Sequence, residues 1–347
     1  MSSTLKDIAR ELGISVSTIS RVVNNKEYVN PKTRKIVLDG LKKFNYLPNQ
    51  VARSLKNQST GTVGIVVPDI SENFFTEIIK GIDEVLGRKD ISIILADSSE
   101  SALKEANYLK LLYQNRIDAL ILATVSKNHD ALDIYKSNDI PVIFIDNMPD
   151  IDHNFDSVII NNSKASLLAV NHLIENNHKH IAIIVGSPDE TTGYERLNGY
   201  RRALEQHNIV IDEHIIQHGN YKEDSGYQCM KTLLQNRGDH PFSALYVGSE
   251  MMTYGAIKAI KEHGLKIPDD IALVGFDVHD KSGLITPGIT SVRQPENYIG
   301  KTVANLVINR LKEKKNNLHM NPVYQHIVLE PSLEIRKSSN NCDFGSI

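Results

Sequence analysis

Residues 14–24, ISVSTISRVVN, set Ser15, Ser17, Thr18, Ser20 and Arg21 among regularly spaced aliphatic residues. Short hydroxyl side chains are weak helix formers, and an ordinary surface helix carries Glu, Lys or Gln in their place. Hydroxyls of this length approach phosphates and base edges closely, and an arginine fork matches two acceptors of a guanine. The face therefore reads as one that meets a nucleic acid. A second group has different chemistry. Asp69, Asp97, Asp146, Asn161, Ser249 and Asp277 each fall at or just after the end of a short aliphatic run. Polar groups at strand ends line ligand clefts in open α/β folds. Phe74 and Phe75 are adjacent, so on a helix one packs inward while the other stacks on a ligand, or both are core. Arg196, near the start of ERLNGYRRAL, offers a planar fork to a hydroxyl or carboxylate, or is a plain surface arginine. Tyr221, in HGNYKEDSG, stands at another strand end.

Enzyme signatures are missing: there is no GxGxxG, GxxxxGK[ST], GxSxG or HExxH. Asp146 and Asp277 form an acid pair without a neighbouring nucleophile, and as acceptors for polyol hydroxyls they need none. Among 13 histidines the densest run is HKH at 178–180, between a helix and a strand, which reads as solvated loop and not a metal site. The expectation is a protein with no enzymatic activity, no cofactor and no metal. Two cysteines, Cys229 and Cys342, form no CxxC pair and fit a reducing cytosol. No apolar run approaches membrane-spanning length and MSSTLKDIAR lacks a signal-peptide core, so a cytoplasmic protein without a membrane partner is expected.

The elements that must position these residues divide in two. Residues 1–58 hold eleven Lys/Arg against four Asp/Glu, a net of +7, whereas the remaining residues carry a net of −10. A basic head on an acidic body suggests that the head meets a polyanion. The head reads as helices over 5–12, 16–24 and 31–44, with a Gly13 turn after the first and Asn30-Pro31 opening the third. Val16, Ile19, Val22 and Val23 are the apolar positions of the second helix, and Ile36, Val37, Leu38, Leu41 and Phe44 those of the third. Two short helices on a glycine turn with a third packed across them make a helix-turn-helix domain. After Pro48, Asn49 caps the short helix QVARSLK, too short to persist alone in water. Its Leu55 fits a minor-groove wedge or a contact with the body. From residue 61, aliphatic runs at 62–69, 91–98, 119–124, 141–146, 157–162, 180–186, 244–249 and 271–277 alternate with amphipathic helices. Such solid runs belong to parallel sheets covered on both faces, and about 280 residues suffice for two lobes.

The segments TLKDIARELGISVSTISRVVN, KTRKIVLDGLKKFNYLPNQVARSLK, VGFD and TSVRQP resemble the LacI/GalR family of bacterial transcription regulators, over nearly the whole chain to about residue 337. The resemblance implies an all-α helix-turn-helix head with a hinge helix, then an α/β body like the periplasmic sugar-binding proteins, built of two Rossmann-like lobes crossed by three strands. The expected division is a DNA-binding domain at 1–47, hinge and linker at 48–60, body at 61–337 and tail at 338–347. Within the body an N-lobe is expected at about 61–160 and 293–320, and a C-lobe at about 161–292 and 321–337. By position Val16, Ser17 and Arg21 fall where the family reads bases, and Thr4, Ser15 and Thr18 where it touches phosphate. Asn49, Ala52 and Leu55 fall on the hinge, with Leu55 at the wedge leucine. Phe74, Phe75, Asp146, Thr192, Arg196, Tyr221 and Asp277 fall at effector-contacting positions. Near the ligand the chain departs from the family, with SENFF where Asn-Pro-Phe-Phe is common and Asn161-Asn162 where Asp-Asn is common. The resemblance implies a homodimeric repressor on a palindromic operator of a sugar-utilisation operon, released by a small sugar. Ribose-operon repressors are the nearest in look. The alternatives are a catabolite-control regulator that uses a phosphorylated carrier protein as corepressor, and a sugar-binding protein without a DNA role.

Overall fold

The computed structural model describes residues 4–23, 28–44, 46, 59–126, 130–149, 154–280, 283–316 and 323–339. They form two compact units, divided at Thr60/Gly61. The hinge positions Asn49, Ala52 and Leu55 lie outside the described residues.

In the first unit, Thr4 caps α1 (Leu5–Leu12) through a reciprocal capping box with Asp7. Gly13, at φ 63°, ends the helix in the left-handed conformation that glycine adopts without penalty. Helix α2 (Val16–Val23) starts at Ser15, whose Oγ accepts the Thr18 N–H at 3.2 Å. Helix α3 (Pro31–Lys43) starts at Asn30, which accepts from Lys32 N at 2.9 Å. Ile8, Ala9, Ile19, Val22 and Val37 make the small core between them. Periodicity misplaces three side chains: Val16, Ile36 and Leu38 are exposed, because a three-helix core this small closes around one stripe per helix.

The second unit holds two six-stranded sheets. The first uses β1 (Thr62–Val67), β2 (Ser92–Asp97), β3 (Ala119–Leu122), β4 (Val142–Ile145) and β5 (Asp156–Ile160), with α4 (Asn73–Leu86), α5 (Ala102–Gln114) and the short α6 (Asp133–Ser137) between them. The chain then passes through α7 (Asn162–Glu175) into the second sheet. That sheet is made of β6 (Ile181–Val185), β7 (Ile216–His218), β8 (Ala244–Val247), β9 (Ala272–Phe276) and β10 (Thr290–Arg293), with α8 (Thr191–Gln206), α9 (Glu223–Gln235) and α10 (Glu250–Glu262). Helix α11 (Glu296–Lys315) returns to pack on α4, β11 (His326–Leu329) joins the first sheet and β12 (Ser332–Glu334) the second. The orders are β2-β1-β3-β4-β5-β11 and β7-β6-β8-β9-β10-β12. Pairing is parallel except for β12 against β10. Ile181–Val185 and Ala272–Phe276 are buried at every position, as parallel strands covered on both faces require.

The third crossing differs from the expected one. Residues 321–337 do not all belong to the C-lobe: Ile327 pairs with Val158 in the first sheet, and the chain crosses only between β11 and β12. The edge strands β11 and β12 alternate exposed and half-buried residues over four and three positions, too short a pattern to announce their sheets. Helices α4 and α11 touch backbone to backbone. A Cβ on Gly300 would lie 2.1 Å from the Ile78 carbonyl oxygen, and one on Gly81 2.4 Å from that of Asn297. Among the described residues no helix is long and apolar enough to cross a membrane.

Candidate functional site

On the head, the exposed face of α2 carries the residues singled out above. Val16 is 40% exposed, and Ser15, Ser17 and Arg21 are exposed, while Ile19 and Val22 on the opposite face are buried. Ser15 Oγ lies 2.9 Å from Ser17 Oγ and 2.8 Å from Thr18 Oγ1. The hydroxyls thus form one cluster at the helix start, where free backbone N–H groups and the helix dipole favour a phosphate. Thr4 is exposed at the start of α1.

In the body, the carboxyl ends of strands from both sheets face one cleft, about 400 Å³ with its open, solvent-filled mouth included. Asp146 follows β4 and Asp277 follows β9, and these two strands hold equivalent places in their sheets. Both aspartates take left-handed backbone conformations, φ 63° and 51°, as does Tyr221 at φ 64°. Non-glycine residues hold such angles where the surroundings over-determine them, which is common at ligand sites.

Arg196, on the second turn of α8, is 4% exposed. Its Nε donates to Asn162 Oδ1 at 2.8 Å, its Nη1 donates to the Gly248 carbonyl at 2.6 Å, and its guanidinium lies 3.8 Å above the Phe276 ring. Asp277 is buried and accepts from Gln294 N and Nε2. Burial, then the nearby Glu296, pushes its carboxyl up to about 6. Thr192 Oγ1 lies 2.9 Å from the Tyr221 hydroxyl, and burial drives that phenol upward. A Cβ on Gly186 would sit 2.0 Å from the same hydroxyl, so only glycine leaves room for Tyr221.

The structure brings Phe74, Asp146, Thr192, Arg196, Tyr221 and Asp277 to one cleft. It does not bring Phe75, which lies 3% exposed in the core, edge-on to Phe74 at 4.9 Å. Of the strand-end polar residues, Asp69 and Asp97 accept from neighbouring loop N–H groups, and Asn161 caps α7. Sequence reasoning did not assign Glu72, Glu250, Phe276 or Gln294 to the cleft, although each adjoins a residue or motif it had named. Burial, then Asp146 and Glu100, raises Glu72 to about 8, and burial, then Glu190, raises Glu100 to about 7. Burial works upward on Glu250 as well, but hydrogen bonds from His279, Tyr254 and Asn73 outweigh it and hold its carboxyl low. Hydrogen bonds to Glu250 and then Glu296 raise His279 to about 9. Among the contacts that join the lobes beside the cleft are Asn73 Nδ2 to Glu250 Oε1 at 3.1 Å, Thr191 Oγ1 to the Met148 carbonyl at 2.6 Å, and Thr192 N to Asn147 Oδ1 at 3.2 Å.

Carboxylates and hydroxyls that accept and donate, one fixed guanidinium, and the rings of Phe74 and Phe276 suit a small ligand with several hydroxyl or N–H groups and an apolar face. Among the described residues, the one set of His and Asp donors with metal-ligand spacing lies outside the cleft.

Residues 60–325 match the model described as periplasmic binding proteins and sugar binding domain of LacI family, and residues 4–49 that of bacterial regulatory proteins, lacI family. The HTH-type transcriptional repressor PurR of Histophilus somni is 32% identical over 333 residues, 96% of this chain and 99% of its own. A LacI family transcriptional regulator from Enterococcus faecium with bound ribose is 25% identical with a TM-score of 0.71, over 81% of this chain and 100% of its own. The lac repressor dimer bound to operator and an anti-inducer shares the fold, at 24% identity and a TM-score of 0.84 over 98% of this chain and 100% of its own.

Proposed function

The chain belongs to the LacI family of bacterial regulatory proteins, and on that premise we propose that it holds a palindromic operator as a homodimer and releases it when a small sugar fills the cleft. It is a DNA-binding transcriptional repressor with that family's sugar-binding domain as its body. On the head, Val16, Ser17 and Arg21 read bases, while Thr4, Ser15 and Thr18 hold phosphate. At the hinge, Asn49, Ala52 and Leu55 open the minor groove at the operator centre, with Leu55 inserted between base steps. In the body, Phe74, Asp146, Thr192, Arg196, Tyr221 and Asp277 contact the effector, and Phe75 supports Phe74 from behind.

The observation that carries this reading is the cleft itself: strand-end groups from both lobes converge on one volume, and direct hydrogen bonds join the lobes beside it. A ligand that binds one relative arrangement of the lobes better than the other shifts the equilibrium between them, and operator DNA and effector then weaken each other reciprocally. The effector is a pentose such as ribose. Paired carboxylates and hydroxyls against an aromatic face support it, and so does a neighbour of known structure that holds ribose. A second reading, a planar purine-like base, draws on the PurR relatives and on the rings of Phe74 and Phe276.

Titration of a labelled palindromic operator with the full-length chain tests both, in the presence of pentoses, hexoses, sugar phosphates, purine bases or a phosphorylated carrier protein. Release by one pentose supports the induced repressor. Tighter or weaker binding caused by a purine alone replaces the pentose with the base. Strengthening by the carrier alone moves the chain to catabolite control. An operator affinity that does not fall with rising salt contradicts phosphate contact by the head.

A further inference from the structure

At the end of the second sheet away from the cleft, the segments that enter β7 and β8 meet. Asp212 and His214 lie in the first segment, His240 in the second. Asp212 Oδ1 is 3.0 Å from His214 Nδ1, and Asp212 Oδ2 is 2.8 Å from His240 Nδ1. The two imidazoles are stacked, with centroids 4.0 Å apart and planes 16° from parallel, so both Nδ1 edges face the same carboxylate. A donor atom from each of the three residues lies within 4.8 Å of the other two. Operator and effector binding use none of them.

We propose that Asp212, His214 and His240 form a binding site for a divalent transition-metal ion, Zn²⁺ first, on the C-lobe. Two imidazoles and one carboxylate are ligands that Zn²⁺ takes at about 2.0–2.2 Å, and water completes the shell in sites with three protein donors. At those bond lengths, neighbouring donors of a tetrahedron stand about 3.3 Å apart. The observed 2.8 and 3.0 Å are within a few tenths of an ångström of that spacing, but stacked rings aim their Nδ1 lone pairs in parallel, so the exposed His214 ring turns out of the stack for both to converge on one ion. Backbone hydrogen bonds hold the segments that carry the donors. Asp212 Oδ1 also accepts the His214 backbone N–H at 2.9 Å, a local turn that holds both side chains on one side of the chain. The His240 backbone N–H is held by the Asn236 carbonyl at 2.9 Å. His214 is 70% exposed, while Asp212 and His240 are one-third exposed or less, which leaves a solvent side for water ligands. The neighbouring Glu213 pairs with Arg201 at 2.8 Å and is not part of the donor set. Without metal, the histidine N–H groups hydrogen-bond to the carboxylate. When the ion binds, each imidazole carries its proton on Nε2 and offers the Nδ1 lone pair to the metal, which ties the β7 entry to the β8 entry.

The test uses the full-length chain freed of metal with a chelator, titrated with Zn²⁺ by calorimetry and with Co²⁺ by visible absorption. The expected result is one ion per chain, a visible band of tetrahedral or five-coordinate Co²⁺, and a higher thermal midpoint. His214→Asn and His240→Asn should each weaken binding roughly tenfold or more, a loss of one ligand bond's worth of affinity. The exposed position of His214 makes His214→Asn a variant whose metal-free thermal midpoint stays at the parent's, and operator binding of both variants checks the head independently. No binding at micromolar Zn²⁺ overturns the proposal. So does binding that His214→Asn and His240→Asn leave unchanged, since the ion then sits elsewhere.

Discussion

Replacement of Arg196 by Met should do more than remove an effector contact. Arg196 is 4% exposed, and its guanidinium satisfies two acceptors, Asn162 Oδ1 and the Gly248 carbonyl, from two different elements. Methionine fills much of the volume but leaves both unpaired, at about 1–3 kcal/mol each. The stack on Phe276 adds about 0.5–2 kcal/mol. Its charge also works against the burial that raises the pKa of Asp146 and Asp277, and without it those buried carboxylates cost more to ionise. The loss should be about 3–5 kcal/mol, a large share of the 5–15 kcal/mol by which folded domains are stable. Urea unfolding of the full-length protein, followed on the body's transition by circular dichroism, should show the midpoint fall by about 1–2 M for a slope near 2–3 kcal/mol per M. Arg196→Lys keeps the charge without the fork and should fall between. A loss below about 1 kcal/mol in Arg196→Met would refute the reasoning, because the two acceptors would then have found water. An effector-blind phenotype of an Arg196 variant therefore needs Thr192→Ala beside it as the milder probe.

Three further outcomes follow from the same contacts. Glu72, Glu100 and Asp277 titrate at about 8, 7 and 6, above ordinary carboxylates, and His279 at about 9, above an ordinary histidine. All four bind protons more tightly folded than unfolded, so the effector-free thermal midpoint should fall as pH rises from about 4 to 9, and Glu72→Gln should flatten that slope. A midpoint that rises across this window contradicts the assignment. Gly300→Ala places a methyl 2.1 Å from the Ile78 carbonyl oxygen, which forces α4 and α11 apart. Overpacking of about 1–3 kcal/mol, offset by up to about 1 kcal/mol of helix propensity, should leave a measurable drop in urea midpoint, and no change would mean that the helices slide freely. Leu55→Ala should weaken operator binding roughly tenfold or more, the order expected when a wedge worth a few kcal/mol is removed, with effector affinity unchanged. Equal operator affinity in the variant would remove Leu55 from the groove.

Much of this molecule was legible in its residues, and the illegible parts have physical reasons. Most strands recognised from sequence are solid aliphatic runs, because a strand buried on both faces has no polar side to confuse its signal. Strand β2, half-exposed at a sheet edge, is found by its run ISIILA, whereas the buried interior strand β10 is missed because Thr290, Ser291 and Arg293 break the apolar run. The edge strands β7, β11 and β12, of three or four residues, bury one side at most, and their alternation is too brief to separate from loop. That is why the third lobe crossing was expected before residue 321 and lies after Leu329. Asp146 and Asp277 were visible as polar residues closing aliphatic runs, and Arg196 by its motif. What spacing could not tell is how each group is used. Arg196 donates from Nε and Nη1 to the scaffold, and the Phe75 ring packs in the core. Glu250 sits one residue after Ser249, yet its part in joining the lobes depends on Asn73, 177 residues away in sequence. The trio Asp212, His214 and His240 is likewise made by two loops that only the fold brings together, while the run HKH, conspicuous in sequence, puts His178 against Ser243.

Each sheet receives one of its two outer strands from the same short stretch, His326–Leu329 for the first and Ser332–Glu334 for the second. During synthesis, therefore, β5 and β10 leave the ribosome long before the segments that cover their open edges. Until residue 334 has cleared the exit tunnel, the nascent body exposes two unpaired edges at once, each a template for pairing with another chain. A premature stop or a protease cut anywhere upstream of residue 326 would not delete one lobe and spare the other. It would strip both sheets together, and the truncated product should be found in aggregates or degraded instead of surviving as a half-molecule.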